Sequence, residues 1–162
     1  MNDRPHKQVT REEAVQLCTA WREQDLTVVF TNGVFDILHR GHVEYLAEAR
    51  LLGDRLVVGV NDDDSAHRLG KGADRPLNSL DDRLTVLAGL ASVDLLVPFH
   101  EDTPLDIIQL LRPGILVKGG DYTEDEVVGA SDVRADGGEV VLVRLREGVS
   151  TTALLKKIRN SG

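Results

Sequence analysis

The chain has 162 residues and a mass of 17.8 kDa, room for one domain and too little for two well-formed ones. Apolar residues at 41% and charged residues at 28% exclude disordered and fibrous classes. Lys and Arg number 19 against 27 Asp and Glu, a net charge of −8 that argues against nucleic acid or an anionic membrane as the main partner.

Six aromatic residues are too few for a single-strand stacking platform, although a local phosphate site is still allowed. The one cysteine, Cys18, permits no internal disulfide and fits a reducing compartment. The opening MNDRPHKQVTREE has no apolar signal core, and no apolar run approaches the roughly 20 residues of a membrane span. The expectation is a soluble, cytoplasmic domain.

The first element reads as a helix: Thr10 and Glu13 have capping-box spacing, and Ala14, Leu17, Cys18 and Trp21 recur with helical period. Cys18 is expected to pack on that apolar face. Residues 26–31 (LTVVFT) read as a buried parallel strand. A helix over 41–52 follows, closed by Gly53 as a left-handed cap. Then come a strand over 55–60, a polar stretch over 61–78 with a helical turn and a mobile loop, a helix over 80–91 and a strand over 93–98. A helix over 104–111 stops at Pro113, and a strand over 115–118 leads to a charged stretch with a short helix around 124–130. The last strand covers 139–144, and the last helix 151–159.

This alternation predicts an α/β fold: a Rossmann-like, doubly wound three-layer sandwich with a five-stranded parallel sheet. Residues 1–25 form an N-terminal helical extension and 26–162 the main domain. Ligands of such sheets bind at the carboxyl ends of the strands, where strand order reverses.

The first such end reads Thr31-Asn32-Gly33-Val34-Phe35-Asp36, then Ile37-Leu38-His39-Arg40-Gly41-His42. Gly33 allows a tight turn after the strand, and Gly41 a close backbone approach at the helix start. A helix start presents unpaired N–H groups and a positive dipole end, which suit a phosphate. His39 and His42 share a face if the turn is helical, so both imidazoles can serve one anion. The bland alternative is a cap histidine and a solvent histidine.

Lys71 lies between Gly70 and Gly72, as either a solvated lysine or part of a loop closing on a ligand. Arg75 and Arg83 can hold phosphate oxygens with their planar forks, although Arg83 suits a surface ion pair to Asp82 or Asp94 nearly as well. Asn61 and Asp63, past the second strand, join them as substrate-side candidates. Lys118-Gly119-Gly120-Asp121 ends the fourth strand, with a turn-forming Asp121 as the plain alternative. Ser150-Thr151-Thr152 opens the last helix, as a plain N-cap or a second phosphate site.

His39-Arg40-Gly41-His42 resembles the HxGH signature of cytidylyltransferase-like nucleotidyltransferases, and Gly33-Val34-Phe35-Asp36 their GxFD segment. The segment TNGVFDILHRGHVEYL resembles one subgroup, the D-glycero-β-D-manno-heptose 1-phosphate adenylyltransferases of ADP-heptose synthesis. RPLNSLDDR, EDTPL, LVKGGDY and GVSTT extend the likeness across about 26–160. The resemblance implies the HxGH nucleotidyltransferase fold and transfer of AMP from ATP to heptose 1-phosphate with release of pyrophosphate, for lipopolysaccharide core or another heptose-containing glycan.

By the same resemblance His39, His42 and Lys71 are catalytic. Thr31, Asn32, Gly33, Val34, Phe35, Asp36, Gly41, Lys118, Gly120, Asp121, Ser150, Thr151 and Thr152 bind nucleotide, and Asn61, Asp63, Arg75 and Arg83 bind the sugar phosphate. Magnesium is implied with the triphosphate; no residue spacing suggests a structural metal site, and Asp36 is as well explained by a loop hydrogen bond. A homodimer is expected because relatives commonly form one. In some relatives a sugar kinase is fused to this domain, for which 162 residues leave no room. The cytidylyltransferase pattern RTxGIST is broken, with Leu145 and Arg146 where it has Arg-Thr, so the arginine is shifted to Arg144 or Arg146, or absent. That departure favours the adenylyltransferases over a glycerol-3-phosphate-type cytidylyltransferase. A non-catalytic nucleotide sensor on the same fold is the alternative from another class.

Overall fold

The structure is a computed structural model that describes residues 7–145 and 147–161. Five strands, β1 (Val28–Gly33), β2 (Arg55–Asn61), β3 (Leu95–Phe99), β4 (Ile115–Gly119) and β5 (Glu139–Val143), form one sheet in the order β3-β2-β1-β4-β5. Every pairing is parallel, with Val28 opposite Arg55, Val57 opposite Leu95, Val29 opposite Ile115 and Leu116 opposite Val140. The chain winds outward from β1 through β2 to β3, then returns to lay β4 on the other side of β1. Strand order therefore reverses between β1 and β4, and a crevice opens above their carboxyl ends.

Seven α-helices are described: α1 (Arg11–Glu23), α2 (Arg40–Leu51), α3 (Asp63–Arg68), α4 (Leu80–Ala88), α5 (Leu105–Leu111), α6 (Ala130–Ala135) and α7 (Thr151–Asn160). One core joins Ala14 and Cys18 of α1 and Ile107, Ile108 and Leu111 of α5 to Val28, Phe30 and Leu116 of the sheet. The other joins Leu46 and Ala49 of α2 and Leu84 and Leu87 of α4 to Val29, Leu56, Val58 and Val117. Alternate residues of β1 thus point into opposite layers, so its burial is nearly continuous along the sequence.

The capping box of Thr10 and Glu13 starts α1 as expected, and Cys18 is fully buried, its thiol pushed up to about 11 by burial. Leu17, expected on the same face, is exposed. The first strand begins two residues later than its apolar run, because Leu26 and Thr27 belong to the entering turn. Asp25 there has φ 58°, and the Thr27 amide donates to Asp54 Oδ2 at 2.8 Å.

Gly53 is not a left-handed cap; close packing explains it, since a Cβ there would lie 2.7 Å from Val29 Cγ2 and 2.9 Å from the Thr27 carbonyl. The helix expected to reach 91 ends at Ala88, and Gly89 to Val93 turn into β3. The short helix around 124–130 is two pieces: a 3₁₀ turn at Glu124–Glu126, then α6, separated where Gly129 turns left-handed at φ 84°. Residues 7–9 also run beside β3, the Leu96 amide donating to Lys7 O at 2.8 Å and the Val9 amide to Leu96 O at 3.1 Å. No helix among the described residues is long and apolar enough to cross a membrane.

Candidate active site

The β1–α2 junction builds the centre of the crevice. His39 is the N-cap of α2, with extended backbone angles, and its Nδ1 accepts the Gly41 amide at 3.1 Å. Glycine at 41 leaves the ring its place, because a Cβ there would lie 3.0 Å from His39 Cε1 and the imidazole would have to shift. The arrangement is reciprocal: His42 Nδ1 accepts the His39 amide at 3.4 Å, and the two rings stack with centroids 3.8 Å apart and planes 19° from parallel. With Nδ1 of each ring accepting a backbone N–H, the proton of each neutral imidazole is assigned to Nε2. His39 is therefore the cap of the bland alternative and a wall of the crevice at once.

Burial lowers the His39 pKa. Burial, then the charges of His39 and Lys71, push His42 down to about 4. At neutral pH the pair is uncharged, and each ring can offer an N–H.

Around this pair lies a cleft of about 390 Å³. Its lining takes Asn32, Gly33, Val34, Phe35 and Asp36 from β1 and the turn after it, and His39, Gly41 and His42 from the start of α2. Lys71 and Arg75 enter from the loop after α3, Lys118 from β4, and Ser150, Thr151 and Thr152 from the start of α7. Two helix N-termini thus meet in one cleft, an arrangement that suits several phosphates. Ser150 caps α7, accepting the Ala153 amide at 3.0 Å, and the Thr151 hydroxyl donates to the Ile37 carbonyl at 3.3 Å. That bond ties α7 to the histidine turn.

The cleft is cationic although the chain is acidic. Lys118 is half-buried, its pKa lowered by burial and by Lys71, and its Nζ stands 5.5 Å from the Tyr122 ring. Lys71 is exposed between Gly70 at φ 70° and Gly72 at φ 135°, conformations that glycine adopts freely. Asp36 is the one carboxylate among the lining residues, and it is saturated. It accepts Arg75 Nε at 2.6 Å, the Leu77 amide at 2.9 Å and the Asn78 amide at 2.9 Å. Burial alone would raise this carboxyl, but those amides and the guanidinium hold it below its ordinary value. The loop hydrogen bond is thus what Asp36 does. No group of three or more His, Cys, Asp or Glu among the described residues is placed to hold a metal ion.

Six of the sequence candidates do not line the cleft. Thr31 is buried, with its Oγ1 2.6 Å from Tyr45 Oη, which donates to the Val117 carbonyl at 3.3 Å. Arg83 makes neither a surface pair to Asp82 or Asp94 nor a contact open to ligand. Its side chain is fully buried; Nη1 donates to the Val34 carbonyl at 2.7 Å and the Asn61 carbonyl at 2.8 Å, Nε to the Asn78 carbonyl at 3.2 Å, and Nη2 to Asp63 Oδ1 at 2.8 Å. Asn61 and Asp63 are its partners, so all three brace the cleft from behind.

Gly120 turns away at φ 119°, where a Cβ would lie 3.1 Å from Tyr122 Cε2, and Asp121 is exposed. Arg144 is exposed and off the lining, and Arg146 lies outside the described residues. Five lining residues were not among the candidate site residues, although the quoted motifs contain or adjoin them: Tyr45, Gly119, Tyr122, Leu145 and Val149. The spacing of Tyr45 on α2 could have found it, since it lies one turn beyond Gly41.

A family model described as cytidylyltransferase-like matches residues 30–157. Among curated proteins, a bifunctional protein HldE of Shewanella amazonensis is 60% identical over 131 residues, 81% of this chain and 27% of that protein. The bifunctional protein HldE of Nitrosococcus oceani is 52% identical over 152 residues, 94% of this chain and 32% of that protein. The chain thus spans less than a third of the length of these relatives. Among solved structures, the lipopolysaccharide core biosynthesis protein from Thermoplasma volcanium superposes with a TM-score of 0.62 at 34% identity, covering 75% of this chain and 97% of that one.

Proposed function

The chain belongs to the cytidylyltransferase-like family, and on that footing we propose that it transfers AMP from ATP to D-glycero-D-manno-heptose 1-phosphate, giving ADP-heptose and pyrophosphate. The observation that carries this proposal is the convergence of two helix N-termini, the stacked neutral histidines and two lysines on one cleft at the strand-order reversal. The HldE likeness and the lipopolysaccharide core protein support the choice of a heptose acceptor.

In this mechanism an oxygen of the sugar phosphate attacks the α-phosphorus of ATP, and the bond to the β-phosphate oxygen breaks. No covalent enzyme intermediate forms. Nε2–H of His39 and His42 donates to the α-phosphoryl oxygens, where charge grows in the transition state. The amides at the start of α7, with Ser150, Thr151 and Thr152, hold the β- and γ-phosphates, while Lys71 and Lys118 offset the crowded charge. Lys118 takes the nucleoside side, and Arg75 the sugar phosphate. ATP enters as its magnesium complex, which needs no carboxylate from this chain.

Residues 26–162 are the catalytic unit and 1–25 an N-terminal helical extension. The reaction is placed in the cytoplasm, in keeping with the unpaired Cys18. Its partners are small molecules, not nucleic acid or membrane, and a homodimer is the expected assembly, checked by sedimentation. Pyrophosphate release measured with ATP, CTP and GTP against a panel of sugar and polyol phosphates tests the function. ATP with heptose 1-phosphate should turn over fastest, and strict preference for CTP would overturn the proposal.

A further inference from the structure

Phe35 has the least ordinary backbone in the cleft. Its φ of 52° lies in the left-handed region, which a bulky side chain occupies rarely and at a cost. Glycine would hold that turn freely, so the contacts of the ring must offset the strain. Those contacts are specific. The ring is 7% exposed and lies over Gly33, where a Cβ would stand 2.9 Å from Phe35 Cε2. It also meets His42 in a T-shaped contact, with centroids 5.3 Å apart and planes at 67°. His42 is therefore held by two rings at once, stacked on His39 and crossed by Phe35.

We propose that Phe35 is a positioning residue for the reaction: its left-handed backbone holds the ring against His42, walling that imidazole from water and fixing its plane beside His39. The proposal extends the role given to His42 above and rests on it. A core role alone accounts for the burial of Phe35 among Tyr45 and Leu46. It does not account for a left-handed phenylalanine beside a glycine whose missing Cβ makes room for the ring.

Water exclusion gives the contact its chemical consequence. A dry His42 stays neutral, and its N–H acts in a medium of low polarity, where it stabilises developing charge more strongly. The titratable and charged groups around it are His39 at the N-cap of the same helix, Lys71 from the loop after α3, Lys118 from β4 and the Asp36–Arg75 pair. These stay the same when only Phe35 or Gly33 is changed, so a difference between such variants reports the wall.

The test is an NMR titration of the His42 ring nitrogens in the full chain without ligand. The unsubstituted protein and Phe35→Tyr, which keeps the ring, should both titrate near pH 4. Phe35→Gly removes the ring while suiting the backbone, and should move the midpoint up toward the ordinary 6.5. Gly33→Ala drives the ring aside without removing it and should move the midpoint the same way, which keeps the test available if Phe35→Gly does not fold. In both shifted variants kcat should fall about tenfold or more while KM for ATP does not rise, the signature of lost transition-state placement. A midpoint that stays near 4 in every folded variant overturns the proposal. Because the titration uses no substrate, shifted midpoints in a chain that turns over no nucleotide pair would refute the proposed function and leave the wall standing.

Discussion

Asp36 Oδ2 and Arg75 Nε stand 2.6 Å apart across 39 residues of sequence, joining the turn after β1 to the loop that carries Lys71. The Asp36 side chain is 1% exposed and that of Arg75 11%, so the pair is shielded from solvent. Asp36→Asn keeps the shape but leaves a buried guanidinium without its counter-charge. Removing one partner of such a pair costs about 3 kcal/mol or more, and chemical denaturation should show that loss at pH 7. The folded carboxyl lies below its ordinary value, so its stabilisation is present above the ordinary carboxylate pKa of about 3.9 and lost as pH falls through the lower folded value. The gap between the two proteins should therefore close below pH 4.

His42→Ala removes one of the two Nε2–H donors. If it acts in the transition state, kcat should fall roughly 100-fold or more, about 2.7 kcal/mol, with little change in ATP affinity. Steady-state kinetics would contradict that role if kcat were unchanged and KM rose sharply.

The same histidine makes the fold sensitive to mild acid. His42 is held near 4 in the folded chain against an ordinary 6.5, so between these values the unfolded chain binds the proton first. Its contribution is fully present above pH 6.5 and is lost progressively as pH falls toward 4. Thermal melts from pH 7.5 to 4 should show a falling melting temperature, and His42→Asn should flatten the part of the fall between 6.5 and 4.

Lys71 should behave as a ligand contact that adds nothing to the fold. Lys71→Ala is expected to lose most activity while keeping its melting temperature, because an exposed loop side chain contributes little packing. The 68–76 loop should resist proteolysis only when nucleotide is bound. Equal cleavage with and without nucleotide, together with near-normal turnover by the variant, would make Lys71 an ordinary solvated lysine.

Local pattern made much of the molecule legible. Short β-branched runs separated by amphipathic segments state a parallel sheet with two covered faces, and Thr10 with Glu13 states where α1 starts. The segment TNGVFDILHRGH states a strand, a tight turn and a helix start within a dozen residues, so the central part of the cleft could be named from adjacent positions. Strand and helix ends were less legible, since tertiary contacts fix them: the Asp54 carboxylate on the Thr27 amide, or Val29 packed against Gly53.

The sequence by itself determined the residue types that carry the chemistry, the alternation that sets the fold class, and the motif that joins the two, because each is encoded over a few neighbouring residues. Tertiary structure alone decided which charged groups face the ligand and which brace the walls. Arg75 and Arg83 look alike in sequence, eight positions apart. Arg75 lines the cleft, while Arg83 is enclosed by the carbonyls of Val34, Asn61 and Asn78 and the carboxylate of Asp63, brought to it by chain separations of up to 49 residues. A guanidinium points to whichever acceptors the folded chain gathers around it, and in Arg83 those acceptors all belong to the protein.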